Sequence, residues 1–123
     1  MGGGEAVISN TQRTLKYLRD QGLSCGMVEK WNPYAKIRQD LFGFIDIIAI
    51  GSIGIVGVQS CSDTGRSEHR NKILENPYYK RWRSAGCKVW LVTWGLHGER
   101  GKRKKWTPHV EDMSGGAPAI EPC

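Results

Sequence analysis

The sequence predicts an α/β (α+β) domain, a mixed central sheet flanked by helices. Three observations carry this reading. Residues 44–50 (FIDIIAI) and 53–58 (IGIVGV) are apolar runs joined by a Gly-rich turn, the pattern of strands buried on both faces. A helical stretch precedes them. Two further helical stretches then separate them from another apolar run, residues 87–94 (CKVWLVTW). A strand meander followed by a helical crossover gives a mixed sheet with helices on both faces.

The elements follow in order. Residues 1–8 read as a flexible leader. Ser9 and Gln12 have capping-box spacing, so a helix is expected over 10–21, with Leu15 and Leu18 inward and Gly22 ending it. Residues 23–31 (LSCGMVEKW) read as a first strand, broken by Asn32-Pro33-Tyr34. Residues 34–43 (YAKIRQDLFG) read as a basic loop. Strands follow at 44–50 and 54–61, with Gly51, Ser52 and Gly54 in the turn. The cluster Ser62-Asp63-Thr64-Gly65 caps a helix over 66–75. Asn76-Pro77 reads as an N-cap with Pro at the first helical position, opening a helix over 77–85 that turns Tyr78, Tyr79 and Trp82 inward and stops at Gly86. A strand over 87–94, a basic turn over 97–105 and a short strand over 106–110 complete a single domain at 9–112. Residues 113–123 (MSGGAPAIEPC) are Gly- and Pro-rich and read as a disordered tail. The order is αβββααβ(β).

Composition narrows the function. The apolar runs fall far short of the roughly 18 residues a membrane span needs. The start, MGGGE, has neither the basic nor the apolar region of a secretory signal. Cys25, Cys61, Cys87 and Cys123 are widely spaced with no CxxC, which argues against a zinc ribbon or a disulfide scaffold and for a reducing, cytoplasmic compartment. Eighteen Lys and Arg oppose twelve acids, and the excess is clustered at 100–105 (RGKRKK) and along 66–83. Clustered positive charge suits a polyanion, nucleic acid first. His69, His97 and His109 lack metal-binding spacing, no GxSxG elbow is present, and residues 51–54 are too short for a phosphate-cradling loop.

The chemistry centres on Asp46. A carboxylate inside an apolar run is costly unless paired, hydrogen-bonded or bound to a metal. Gln59 ends the next strand, and the two can converge on one cation. The leading helix, the phrase DLFGFIDIIAI, the strand GIVGVQ after a short turn and the later WRSAGCKVWLVTW together resemble the PD-(D/E)xK nuclease superfamily over residues 10–95. The relatives it is most similar to are small phage nuclease-like proteins, Holliday junction resolvases and VRR-NUC domains. The resemblance implies a restriction-endonuclease-like core, αβββαβ. It implies an Asp and a second acid holding Mg²⁺ (or Mn²⁺), with a Lys two residues beyond the second acid to orient the attacking water. The Asp matches Asp46, the second acid falls on Gln59 and the Lys falls on Cys61.

That departure sets the candidate list. A Gln carbonyl can ligate but brings no charge, so Asp40, Glu29 or Glu5 is needed as a second carboxylate. Arg66 or Lys72, on the next helix, is the candidate for the missing cation, with Arg70 beside them. Lys36, Arg38, Arg66, Arg70, Lys72, Arg100, Lys102, Arg103, Lys104 and Lys105 are the expected phosphate contacts, which position the backbone without reading bases. Trp31, Tyr34 or Trp106 is placed to stack on an unpaired base. The expectation is a metal-dependent, structure-selective or non-specific DNA nuclease (a hydrolase), in the host cytoplasm if phage-encoded. The alternative is a catalytically degraded nuclease fold that binds nucleic acid or protein. The resemblance also implies a homodimer.

Overall fold

The computed structural model describes residues 8–114. In chain order the elements are α1 (Asn10–Asp20), β1 (Ser24–Met27), β2 (Lys30–Asn32), β3 (Ile37–Gln39), β4 (Ile47–Gly51), β5 (Gly54–Ser62), a 3₁₀ turn (Asp63–Gly65), α2 (Arg66–Glu75), α3 (Tyr79–Ser84), β6 (Lys88–His97) and β7 (Lys105–Asp112). The first helix starts where its cap dictates: the Ser9 hydroxyl accepts the Gln12 backbone N–H at 3.1 Å. It ends at Gly22, whose φ of 88° only glycine adopts without strain.

Five strands form one sheet in the order β1-β4-β5-β6-β7. All neighbours are antiparallel except β5 and β6, which run parallel with Gln59 opposite Leu91. The α2–α3 pair makes that parallel crossover, as the apolar runs require. Alternation sorts the side chains into two cores. Leu15 and Leu18 of α1 pack on Ile47, Ala49, Val56, Val58, Val92 and Trp94. On the opposite face Ile73 of α2 packs with Phe44, Ile45, Cys61, Val89 and Leu91. Trp82 of α3 packs against the sheet at Gly57, where an added Cβ would come within 2.9 Å of its ring. Among the described residues no helix is long and apolar enough to cross a membrane.

The structure departs from the sequence expectation at three places. The strand expected over 23–31 is two strands, and the basic loop over 34–43 contains β3, so 30–39 is a β-hairpin forming its own two-stranded sheet. Its turn is set by Asn32, whose side-chain carbonyl accepts the N–H groups of Tyr34 (2.9 Å) and Ala35 (3.1 Å). The second crossover helix begins at Tyr79 rather than Pro77, because the Asn76 side-chain oxygen accepts the Tyr78 N–H at 2.8 Å and holds 76–78 as a turn. Tyr78 therefore points outward, 47% exposed, while Tyr79 and Trp82 go in. Finally, Met113 and Ser114 dock on β6 through the backbone of Val89; the rest of the expected tail, like the leader and Glu5, lies outside the described residues.

Candidate metal centre

Three carboxylates from three connections converge. Glu29 lies between β1 and β2, Asp40 just after β3, and Asp46 just before β4. One oxygen of each lies within 4.8 Å of the others. The hairpin explains the first two: Lys30 pairs with Gln39, so the flanking residues 29 and 40 are brought side by side. A tight turn supplies the third. Leu41 and Ile45 exchange backbone hydrogen bonds of 2.9 and 3.0 Å and carry the chain from Asp40 to Asp46.

Asp46 is 4% exposed. Its carboxylate accepts two contacts from the Gln59 amide nitrogen, at 2.9 and 3.0 Å, and the Ser60 backbone N–H at 2.9 Å. Burial, then hydrogen bonding to Asp40, pushes its carboxyl up to about 8; the charges of Asp40 and Glu29 act in the same direction, and the Ser60 N–H opposes them. The same Gln59 nitrogen reaches Asp40 at 3.4 Å. Gln59 thus bridges the two acids by hydrogen bonds but brings no charge to offset theirs.

The residues fit a divalent cation. Gln59 Oε1 is buried and has no hydrogen-bond partner among the described residues. A half-turn of that amide exchanges its oxygen and nitrogen, a change of small shape and large electrostatic consequence. Three carboxylates and an amide carbonyl are the hard oxygen donors that Mg²⁺ or Mn²⁺ takes. The sequence candidates Asp46, Gln59, Asp40 and Glu29 are therefore all brought together.

The expected cations divide. Lys72 of α2 reaches Asp40 at 3.5 Å, and Arg38 reaches Glu29 at 3.4 Å. Arg66 does not join the cluster, which corrects its expected catalytic part. Its guanidinium is held by Asp63 at 2.9 Å and Thr93 at 3.0 Å, beyond the end of β5. Arg70 is held bidentate by Glu111 at 2.8 and 2.6 Å, which keeps the Glu111 carboxyl low. Neither is a free phosphate contact. Cys61, at the position where the resemblance implies a Lys, is buried, and burial followed by the nearby Asp46 raises its thiol to about 11. It is a neutral core residue. Lys36 sits at the β2–β3 turn with a φ of 56°. Arg100, Lys102, Arg103 and Lys104 lie exposed on the β6–β7 connection, and Lys105 is exposed at the start of β7. Trp31 and Tyr34 are exposed; Trp106 is covered on one face by Arg13, 3.8 Å from its centroid.

Sequence reasoning missed the Asp63–His97 contact of 2.6 Å, which lowers the Asp63 carboxyl, because the partners sit at the ends of two separate strands. No protein-family model matches the chain, and no curated protein or solved structure matches it significantly.

Proposed function

We propose that the chain is a metal-dependent nuclease of restriction-endonuclease-like architecture that hydrolyses DNA phosphodiester bonds at Glu29, Asp40 and Asp46. One observation carries this: three carboxylates lie within 4.8 Å of one another, two of them on the side-chain nitrogen of Gln59, whose own oxygen is buried and unpartnered among the described residues. Structural carboxylates are usually separated or paired with cations, since like charges this close raise one another's pKa. Glu29, Asp40, Asp46 and Gln59 would hold Mg²⁺ or Mn²⁺. Bound there, the ion supplies Lewis-acid polarisation of the phosphate and a lowered pKa for its water.

The chain's own groups do the rest. Asp46 is fixed by the Ser60 N–H and cannot swing away. Lys72, at Asp40, is the ammonium that pairs with the cluster among the described residues, and it takes over the charge that Cys61 cannot carry. The exposed lysines and arginines of the β6–β7 connection neutralise backbone phosphates further along the strand.

A second reading is a recognition module on the same fold. The neutral, buried Cys61 favours it, since it leaves the implied Lys position without charge. Cleavage of labelled branched and linear DNA with Mg²⁺ or Mn²⁺, by wild type and Asp46→Ala purified side by side, separates the two. Cutting lost in Asp46→Ala is expected. Binding by both without cutting by either would establish the recognition module instead.

A further inference from the structure

The turn that carries Asp40 to Asp46 also displays an aromatic residue under constraint. Phe42 has a φ of 56°, a left-handed conformation that a bulky residue adopts only when its surroundings impose it. Its ring is 46% exposed nonetheless. It stacks at a tilt on Tyr78, with centroids 5.2 Å apart and planes at 32°, and Tyr78 is 47% exposed. Trp82 stands behind as a wall, edge-on to Phe42 at 6.4 Å.

Helix α2 and the residue that follows it hold this pair in place. Asn76 donates from its side-chain nitrogen to the Phe42 carbonyl at 3.0 Å and accepts the Tyr78 N–H. Lys72, four residues earlier, meets Asp40. The turn is thus gripped at two points about 6 Å apart along α2. The carboxylate cluster lies at one and the aromatic pair at the other.

We infer that Phe42 and Tyr78 form a stacking platform for an unpaired nucleobase, so the substrate is single-stranded at the nucleotide next to the bond presented to the carboxylates. The inference rests on the nuclease reading of that cluster. A ring seeking only burial would not be held half in water by a left-handed turn. A base inside a duplex is stacked on its neighbours and cannot reach an external π-face without being extruded. The two helices that flank the pair carry exposed cations, Lys72 on α2 and Lys80 and Arg81 on α3, against the exposed acid Glu75, and Lys80 and Arg81 have no ion pair among the described residues. Positive charge beside a flat apolar face suits a nucleotide better than an apolar peptide.

The test uses a short single strand carrying 2-aminopurine and a duplex of the same sequence, both bound in Ca²⁺. Wild type, Phe42→Gly and Phe42→Trp are compared. Glycine suits the φ at this position, so Phe42→Gly removes the ring and leaves the turn; Tyr78→Leu, on ordinary backbone, serves if it does not fold. We expect quenched 2-aminopurine with wild type and Phe42→Trp and none with Phe42→Gly. Single-strand affinity should fall about 5- to 100-fold in Phe42→Gly, with duplex affinity unchanged. Equal losses on both substrates, unchanged single-strand affinity, or quenching that survives in Phe42→Gly would overturn the platform. Cleavage is read in parallel with Mg²⁺. Quenching without cutting by wild type would overturn the nuclease reading and leave the platform standing.

Discussion

Raising the pH in the absence of divalent cations should destabilise the protein, and Asp46 should be the cause. Its carboxyl sits near 8 in the folded chain against 3.8 for the ordinary group. Between those values the folded state holds a proton that the unfolded state has released. Stability therefore falls as pH rises through this window, by up to about 1.4 kcal/mol per pH unit. From pH 5.5 to 7.5 the loss works out at about 2–3 kcal/mol, or roughly 10 °C in Tm for a chain of this size. The lowered carboxyls, Asp63 and Glu111, act with the opposite sign but below this range. Thermal melts in EDTA across that interval, on wild type and Asp46→Asn, provide the assay. Asp46→Asn should be nearly flat and the more stable protein at pH 7.5. Excess Mg²⁺ should return about 3 kcal/mol to wild type at a hundredfold excess over its Kd, and much less to the variant. A wild-type melt that is flat or rises with pH, or a fall shared by Asp46→Asn, would refute both the burial of this carboxylate and its crowding by Asp40.

Three further outcomes follow from the same geometry. Lys72→Met should slow single-turnover cleavage roughly 100-fold, the size of losing one positioned donor, while DNA affinity changes about twofold; an unchanged rate would remove Lys72 from the chemistry. Replacing Lys102, Lys104 and Lys105 by Gln should flatten the slope of log affinity against log salt by about 3 on duplex DNA, and an unaltered slope would exclude the β6–β7 connection from phosphate contact. Ile73→Ala, at a fully buried site beneath α2, should cost about 2–5 kcal/mol in urea denaturation, and a loss under about 1 kcal/mol would mean that α2 is not packed on the sheet as described.

The strand meander, both crossover helices and the buried Asp46 were legible because each is written in local pattern. Apolar runs of five to nine residues between glycines leave few alternatives, and an acid inside one calls for a partner. The β2–β3 hairpin was not legible. Its strands are three residues long and carry no alternation, and the turn depends on the side-chain carbonyl of Asn32 rather than on a glycine pair. Yet this hairpin sets Glu29 beside Asp40, so the sequence could nominate both acids without placing them together. Arg66 and Arg70 show the reverse. Their helix and its charge were read correctly, but the acids that hold them, Asp63 at a strand end and Glu111 on β7, depend on the tertiary fold. Phe42 escaped because residues 34–43 read as a basic loop, and nothing in the sequence marks a left-handed φ at this position.

Charge balance at the cluster is the strongest reason to expect a cation. Glu29, Asp40 and Asp46 bring three carboxyl groups into one small volume, and the neighbouring cations, Arg38 and Lys72, approach only to 3.4 and 3.5 Å from the exposed side. Behind Asp46 stand a neutral thiol and a neutral amide. A site built only for stability would do better with apolar residues of the same volume, because buried charge is repaid only by close and complete pairing. Here pairing is incomplete, and the Gln59 carbonyl has no partner among the described residues. A divalent cation would resolve both defects at once, charge by compensation and the carbonyl by coordination. This makes Gln59→Leu a sharp discriminator. In EDTA it removes the amide that donates hydrogen bonds to Asp46 and Asp40 and should lower Tm; with Mg²⁺ present the acids should still bind, and most of that loss should return. A loss that Mg²⁺ does not repair would mean that Gln59 holds the cluster together as structure, and that the three carboxylates are not a metal centre.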